Sequence, residues 1–315
     1  MEQAKRVHHR VHACGALGTV SVRRLASALS LWAALASWPV SVYATAPRDA
    51  CQLADALDEA PLIQVPLELV DGRIYVQAHV NGRGPFRFAV DTGASGVGRA
   101  DASLVAALDL AVHGQTTTSD GVQSATVDTT HIDSLALGGL VRTHVEVITR
   151  DYGSRTSVQA RFAGILGREF FADGLLVIDY PRKRLTFSRT QGLSTTDANA
   201  LAYERAFRVP VTIGDVQTLG NLDTGANVAF VLPQSLYERV GGGPLEAGGQ
   251  GQLTNGTVAV HKATLAAPIR IGNVGYANAE VRVSDRFPEL LVGAHALQDA
   301  VLMIDQRSQR VALCQ

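Results

Sequence analysis

Residues 88–96 read FAVDTGASG: an apolar run that leads straight into a carboxylate, Asp91, followed at once by Thr92 and Gly93. Alone, Asp-Thr-Gly is an ordinary turn, because all three residues commonly end strands. Its weight comes from a second copy. Residues 220–230, GNLDTGANVAF, repeat the tetrapeptide as Asp223, Thr224, Gly225 and Ala226, again behind an apolar-leaning run. Internal repetition bears on architecture before any local pattern does.

Working outward, more than the tetrapeptide recurs. Before the first copy, Ile74 to Val80 alternates, turns at Asn81-Gly82 and returns through Phe86 to Val90; before the second, Val209 to Ile213 turns at Gly214-Asp215 and returns through Leu219 to Leu222. Both are hairpin patterns. After each copy comes a short helical segment, Ala102 to Val112 capped by Asp101, and Pro233 to Val240 stopped by Gly241-Gly242-Gly243. The closing segments GREFFADGLLVID (167–179) and GAHALQDAVLMID (293–305) align without a gap. Each follows two apolar residues, Ile165-Leu166 or Leu291-Val292, and precedes a basic turn and a last strand.

This pattern predicts a mainly β protein with two similar lobes, residues 47–189 and 201–315, joined by the polar, aperiodic linker 190–200. A pseudo-twofold axis near the two turns would make Asp91 and Asp223 neighbours. Two carboxylates a few ångströms apart do not both ionise cheaply, so they share a proton and titrate as a pair. Such a pair performs hydrolysis: the ionised member takes a proton from water while the protonated member hydrogen-bonds the scissile carbonyl. Gly93 and Gly225 permit the tight turn and close backbone approach that this needs.

At these residues the chain resembles the aspartic peptidases, closer to the retropepsin-like branch than to pepsin. Both turns read Asp-Thr-Gly-Ala, and both halves carry the apolar-apolar-Gly element ending at Gly167 and Gly293. The resemblance extends over nearly the whole chain beyond residue 46. It implies acid-protease-type β-barrel lobes flanking an active-site cleft, Asp91 and Asp223 as the catalytic pair, and no cofactor. Thr92 and Thr224 would interlock across the interface, Gly93 and Gly225 would shape the site, and Gly167 and Gly293 would pack beneath the turns. Two departures stand out. Pepsin-like enzymes usually place a serine donor after Asp-Thr-Gly, where this chain has Ala94 and Ala226; losing a donor to the ionised form raises the pair's pKa, so a mildly acidic to near-neutral optimum is expected. The candidate flaps, Ser119 to Ser124 and Gly248 to Thr257, lack the tyrosine of the pepsin flap.

Composition sets the remaining bounds. The 315 residues are 46% hydrophobic and 18% charged, as in a globular protein. Residues 1–46 carry Lys5, Arg6, Arg10, Arg23 and Arg24, then an uncharged stretch and the small-residue site Ala44-Thr45-Ala46, which reads as an export signal. The stretch is long enough to act instead as an uncleaved anchor, but its Ala/Ser content and Pro39 favour cleavage and a periplasmic or secreted chain without stable membrane insertion. Cleavage would leave 23 Lys+Arg against 28 Asp+Glu, a net charge of about −5 in place of −1, with no electrostatic reason to bind nucleic acid. Cys51 and Cys314 would then remain near the two ends, either as one disulfide or as two free thiols. His79, His113, His131, His144, His261 and His295 lack metal-ligand spacing, and no Gly-x-Ser-x-Gly nucleophile elbow occurs. The expected partner is a peptide or protein substrate, and the expected state a monomer, with lobes pairing between chains as the other arrangement. The competing function is a non-catalytic exported module that binds a peptide or partner in the same cleft.

Overall fold

The computed structural model describes residues 47–56 and 61–315; the expected export signal lies outside them. The described chain is mainly β, and its repeated regions form similar barrels within one compact unit.

In the first half an eight-stranded sheet runs in the order Glu68–Val70, Arg73–Val80, Arg83–Val90, Gly164–Leu166, Gly98–Asp101, Leu140–Arg150, Ser124–Leu137, Val112–Ser119. It closes on itself where His79 and Val80 pair with Ala136 and Leu135. The second half repeats this order with interruptions. Where Ser124–Leu137 is one continuous strand, its counterpart is split into Thr257–Thr264 and Ile269–Ile271. Pro268 stands immediately before the second piece, and a proline has no N–H for a sheet ladder. The counterpart of Leu140–Arg150 is likewise split into Val274–Tyr276 and Glu280–Ser284, with Asn278 between them at φ 50°.

The hairpins behave as their sequences require. Asn81 and Gly82 both take left-handed φ, 51° and 71°, as a two-residue turn of twisted strands prefers, and Gly214 does so at 56° in the second copy. Asp101 caps the first helix by accepting from the Ser103 N–H, but the helix is shorter than its sequence pattern suggests and spans Ala102–Leu108. Asp109 adopts φ 52° and closes it, and Val112 already begins a strand. The helix of the second copy spans Gln234–Arg239.

The two halves are fused through a six-stranded sheet, in the order Ile63–Pro66, Arg184–Ser188, Leu175–Asp179, Val301–Asp305, Arg310–Cys314, Leu201–Ala202. At its centre the repeated closing segments pair antiparallel, with Val177 opposite Met303. Those two residues occupy equivalent positions in their repeats, so the register is itself twofold symmetric about them. Alternation then divides the sheet's faces. Leu176, Ile178, Leu302 and Ile304 join a core that is continuous through both halves. Leu175, Val177, Met303 and Ala312 face the other way and are covered by Ala50, Leu53 and Ala54 of the helix Ala50–Ala56 and by Leu193. Cys51 of that helix is bonded to Cys314, with Cα atoms 5.6 Å apart.

Residues 190–200 are polar and aperiodic, yet firmly tied down. Leu193 is buried and its N–H donates to Asp305 at 3.0 Å, while the Arg48 guanidinium holds Asp197 at 2.6 Å.

Candidate active site

Each aspartate is placed by a strand whose neighbour runs parallel to it. Val90 pairs with Leu166, and Asp223 with Gly293. The chain then turns tightly: the Ala94 N–H donates to the Asp91 carbonyl at 3.2 Å and the Ala226 N–H to the Asp223 carbonyl at 3.3 Å. Beneath each turn lies the glycine of the apolar-apolar-Gly element. A Cβ on Gly167 would sit 2.3 Å from the Gly96 carbonyl oxygen, and one on Gly293 2.3 Å from that of Val228. Real side chains do not approach backbone so closely, so only glycine lets the turn rest there.

The turns meet across the interface between the halves. The Thr92 hydroxyl donates to the Leu222 carbonyl at 2.9 Å and accepts from the Thr224 N–H at 3.0 Å; the Thr224 hydroxyl donates to the Val90 carbonyl at 2.8 Å and accepts from the Thr92 N–H at 3.1 Å. Both threonines are buried. The carboxylates are interleaved with the opposing glycines: a Cβ on Gly93 would lie 2.6 Å from Cγ of Asp223, and one on Gly225 2.4 Å from Cγ of Asp91. Each half therefore omits a side chain where the other half inserts its acid.

Asp91 and Asp223 are half-buried at the floor of a cleft of about 1050 Å³ that both halves line. Each retains a backbone donor in place of the serine: the Ala94 N–H reaches Asp91 Oδ1 at 3.0 Å and the Gly225 N–H reaches Asp223 Oδ1 at 2.9 Å. Loss of solvent and then the neighbouring Asp91 charge push the Asp223 carboxyl well above the ordinary carboxylate range, against the opposing pull of the Gly225 N–H and the Arg73 charge.

Two arginines brace the turns. Arg73 Nε donates to the Gly225 carbonyl at 2.7 Å across the interface, and its Nη2 to Asn227 Oδ1 at 3.1 Å, while Arg168 Nη1 donates to the Gly93 carbonyl at 3.3 Å. Asn227 donates in turn to Asp71, whose other carboxylate oxygen meets His295 Nε2 at 3.1 Å. None of these stood out in the sequence, since each belongs to only one copy of the repeat or sits at a strand end.

Both candidate flaps overhang the cleft as hairpin tips, and they touch. The Asn255 N–H donates to Asp120 Oδ2, and its side-chain amide to the Gln123 carbonyl, both at 2.7 Å. The scattered histidines remain apart from this site except His295, and among the described residues no group of three or more His, Cys, Asp or Glu is placed to hold a metal ion.

Comparison with known families gives a single description twice. A model of the aspartyl protease family matches residues 76–170 and again 209–302. No curated protein matches the chain. The matched segments fall one in each barrel and each contains one Asp-Thr-Gly turn; since together they cover more than half of the chain, it belongs to the aspartyl protease family.

Proposed function

We propose that the protein is an exported, single-chain aspartic endopeptidase in which Asp91 and Asp223 activate water against a peptide carbonyl. The observation that carries this reading is the reciprocal packing of each carboxylate against the glycine of the opposite turn. It concentrates two acids at one point of a substrate-sized cleft.

The chemistry follows from one shared proton. The ionised member removes a proton from water as its oxygen attacks the carbonyl carbon, and the protonated member donates to the carbonyl oxygen. The tetrahedral product then collapses: a proton passes to the amide nitrogen, the C–N bond breaks, and the pair returns to its single-proton state. No covalent enzyme intermediate is required. The Ala94 and Gly225 N–H groups orient the carboxylates, the threonine pair fixes the halves relative to each other, and the joined flap tips limit water entry.

In this reading the lobes span residues 47–189 and 201–315, and residues 190–200 connect them. Supply of both acids by one chain supports a monomeric enzyme. The Cys51–Cys314 bond supports export, since such bonds persist in oxidising compartments.

The test is digestion of a diverse peptide mixture by the purified chain from acid to neutral pH, beside Asp91→Asn. Cleavage that disappears in the variant is the expected result. Absence of cleavage at every pH by folded protein would favour the exported peptide-binding module instead.

A further inference from the structure

We propose that the cleft wall formed by the first lobe is a carboxylate-recognition pocket, built on Arg99 and Tyr152, which selects substrates bearing a carboxylate close to the scissile bond. This rests on the peptidase reading only in taking the ligand to be part of a peptide.

Arg99 lies in the strand Gly98–Asp101 and borders the same cleft as Asp91. It is only 7% exposed, its Nε has no hydrogen-bond partner, and it joins none of the ion pairs among the described residues. A guanidinium taken out of water without an acid is costly, and proteins seldom retain one without a use. The acid two positions along its strand is already engaged: Asp101 accepts from the Ser103 N–H and hydroxyl on one oxygen and from the Tyr152 and Gly153 N–H groups on the other. The other arginines already described in this cleft have partners. Arg73 and Arg168 brace the catalytic turns, and Arg150 donates to the Thr254 carbonyl and to Asn255.

Tyr152 supplies a second vacant donor beside the first. Its hydroxyl is buried and donates to no acceptor. Burial pushes the phenol up, the charge of Arg99 and the approach of its guanidinium to the phenol oxygen pull it down, and the Asp91 charge acts with burial, so all three groups lie within electrostatic reach. The surroundings are apolar: Phe162 stacks at 5.8 Å from the Tyr152 ring, next to Ile165 and Ala94. A guanidinium fork and a phenol in a low-dielectric wall match a carboxylate in charge and in donor count.

The second lobe lacks this feature. Arg99 pairs antiparallel with Ile165, and Val231 pairs in the same way with Leu291. The repeat therefore places a valine, Val231, where the first lobe has its arginine.

The test compares matched peptides, amidated at the C-terminus, that carry Glu or its isostere Gln at each position around the cut, and a third set with a free C-terminal carboxylate and no internal acid. For the full chain, kcat/KM for the best Glu peptide should exceed that for its Gln twin by about tenfold or more. In Arg99→Met this ratio should fall to about one. Arg99→Lys, a point charge without the fork, should keep part of it. Preference for the third set alone would identify a terminal carboxylate as the ligand and still support the pocket. An absent preference in the wild-type chain, or a ratio that survives in Arg99→Met, would overturn it. If Arg99→Met does not fold, Tyr152→Phe removes only the hydroxyl and should lower the ratio about threefold; an unchanged ratio there overturns the proposal. If no peptide is cut, calorimetric binding of the same peptides separates the two readings. Tighter binding of Glu than Gln, lost in Arg99→Met, supports the pocket while the peptidase reading fails; equal binding rejects the pocket.

Discussion

Thr92 and Thr224 each satisfy a backbone N–H and a backbone carbonyl that belong to the opposite half of the molecule. Four buried hydrogen bonds thus bind the turns that carry Asp91 and Asp223. Thr92→Val keeps the shape but leaves the Leu222 carbonyl and the Thr224 N–H without partners in a buried place. The expected loss is about 2–4 kcal/mol in urea unfolding, against less than about 1 kcal/mol for Thr92→Ser, which keeps the hydroxyl. Equal effects of the two substitutions would contradict the role given to the hydroxyl.

Gly225 and Asp91 make a sharper case, because the obstacle to a larger residue is a single functional group. A Cβ at Gly225 would lie 2.4 Å from the Asp91 carboxyl carbon, and its three nearest neighbours are all atoms of that carboxyl group. Gly225→Ala should therefore displace Asp91 more than it disturbs the fold. We expect kcat to fall about a hundredfold or more, because an ångström of misplacement at a reacting group has that effect. The cost in stability should be about 1–3 kcal/mol, typical of overpacking. An active variant of undiminished kcat would remove Asp91 from the mechanism.

The raised Asp223 carboxyl has consequences for both stability and rate. Its native pKa is pushed from 3.8 up to about 7, so between those values the native state holds a proton that the unfolded chain has released. Stability from this group is complete below the unfolded value and is lost as pH rises toward the native one. Unfolding by urea at several pH values should show this slope in the wild-type chain and a flatter one in Asp223→Asn. Catalysis needs the shared proton, so kcat/KM should decline as pH rises through neutrality. A descending limb complete by about pH 5 would show that the backbone donors at Ala94 and Gly225 outweigh the burial.

The repeat made much of this legible in advance. Two Asp-Thr-Gly turns behind hairpins, with matching Gly167 and Gly293 segments, indicate paired lobes because a repeated pattern of this length constrains topology. Single-copy features were less visible. Arg73 reaches Gly225 from the far half of the molecule, a contact that no local pattern encodes. Arg99 looks like any charged residue in a strand until its burial is known. The available clue lay in the mismatch between copies, arginine in one where the other has Val231. Leu110 and Val112 continue the apolar spacing of the first helix, so the sequence extends it to Val112, while the left-handed turn at Asp109 ends it. The contact between the flaps depends on the relative placement of two hairpins distant in sequence.

That contact gives the last test. Asp120 serves its own hairpin with Oδ1, accepting from the Val122 and Gln123 N–H groups, and grips the other with Oδ2, accepting from the Asn255 N–H at 2.7 Å. The Asn255 side chain adds a bond to the Gln123 carbonyl and receives Arg150 Nη1 at 2.8 Å. Asn255→Ala removes these two side-chain contacts and a longer one from the amide to the Thr118 carbonyl at 3.5 Å, and leaves the catalytic floor and both barrels untouched. Because such bonds at a surface contribute about 1 kcal/mol each, and the two short ones together about 2 kcal/mol, amide exchange at the tips, residues 119–124 and 253–256, should accelerate about thirtyfold. The global unfolding midpoint should scarcely change. If the tips close over substrate, KM for peptides should rise with smaller effect on kcat. Unchanged exchange at the tips would mean that the contacts do not hold the cleft shut.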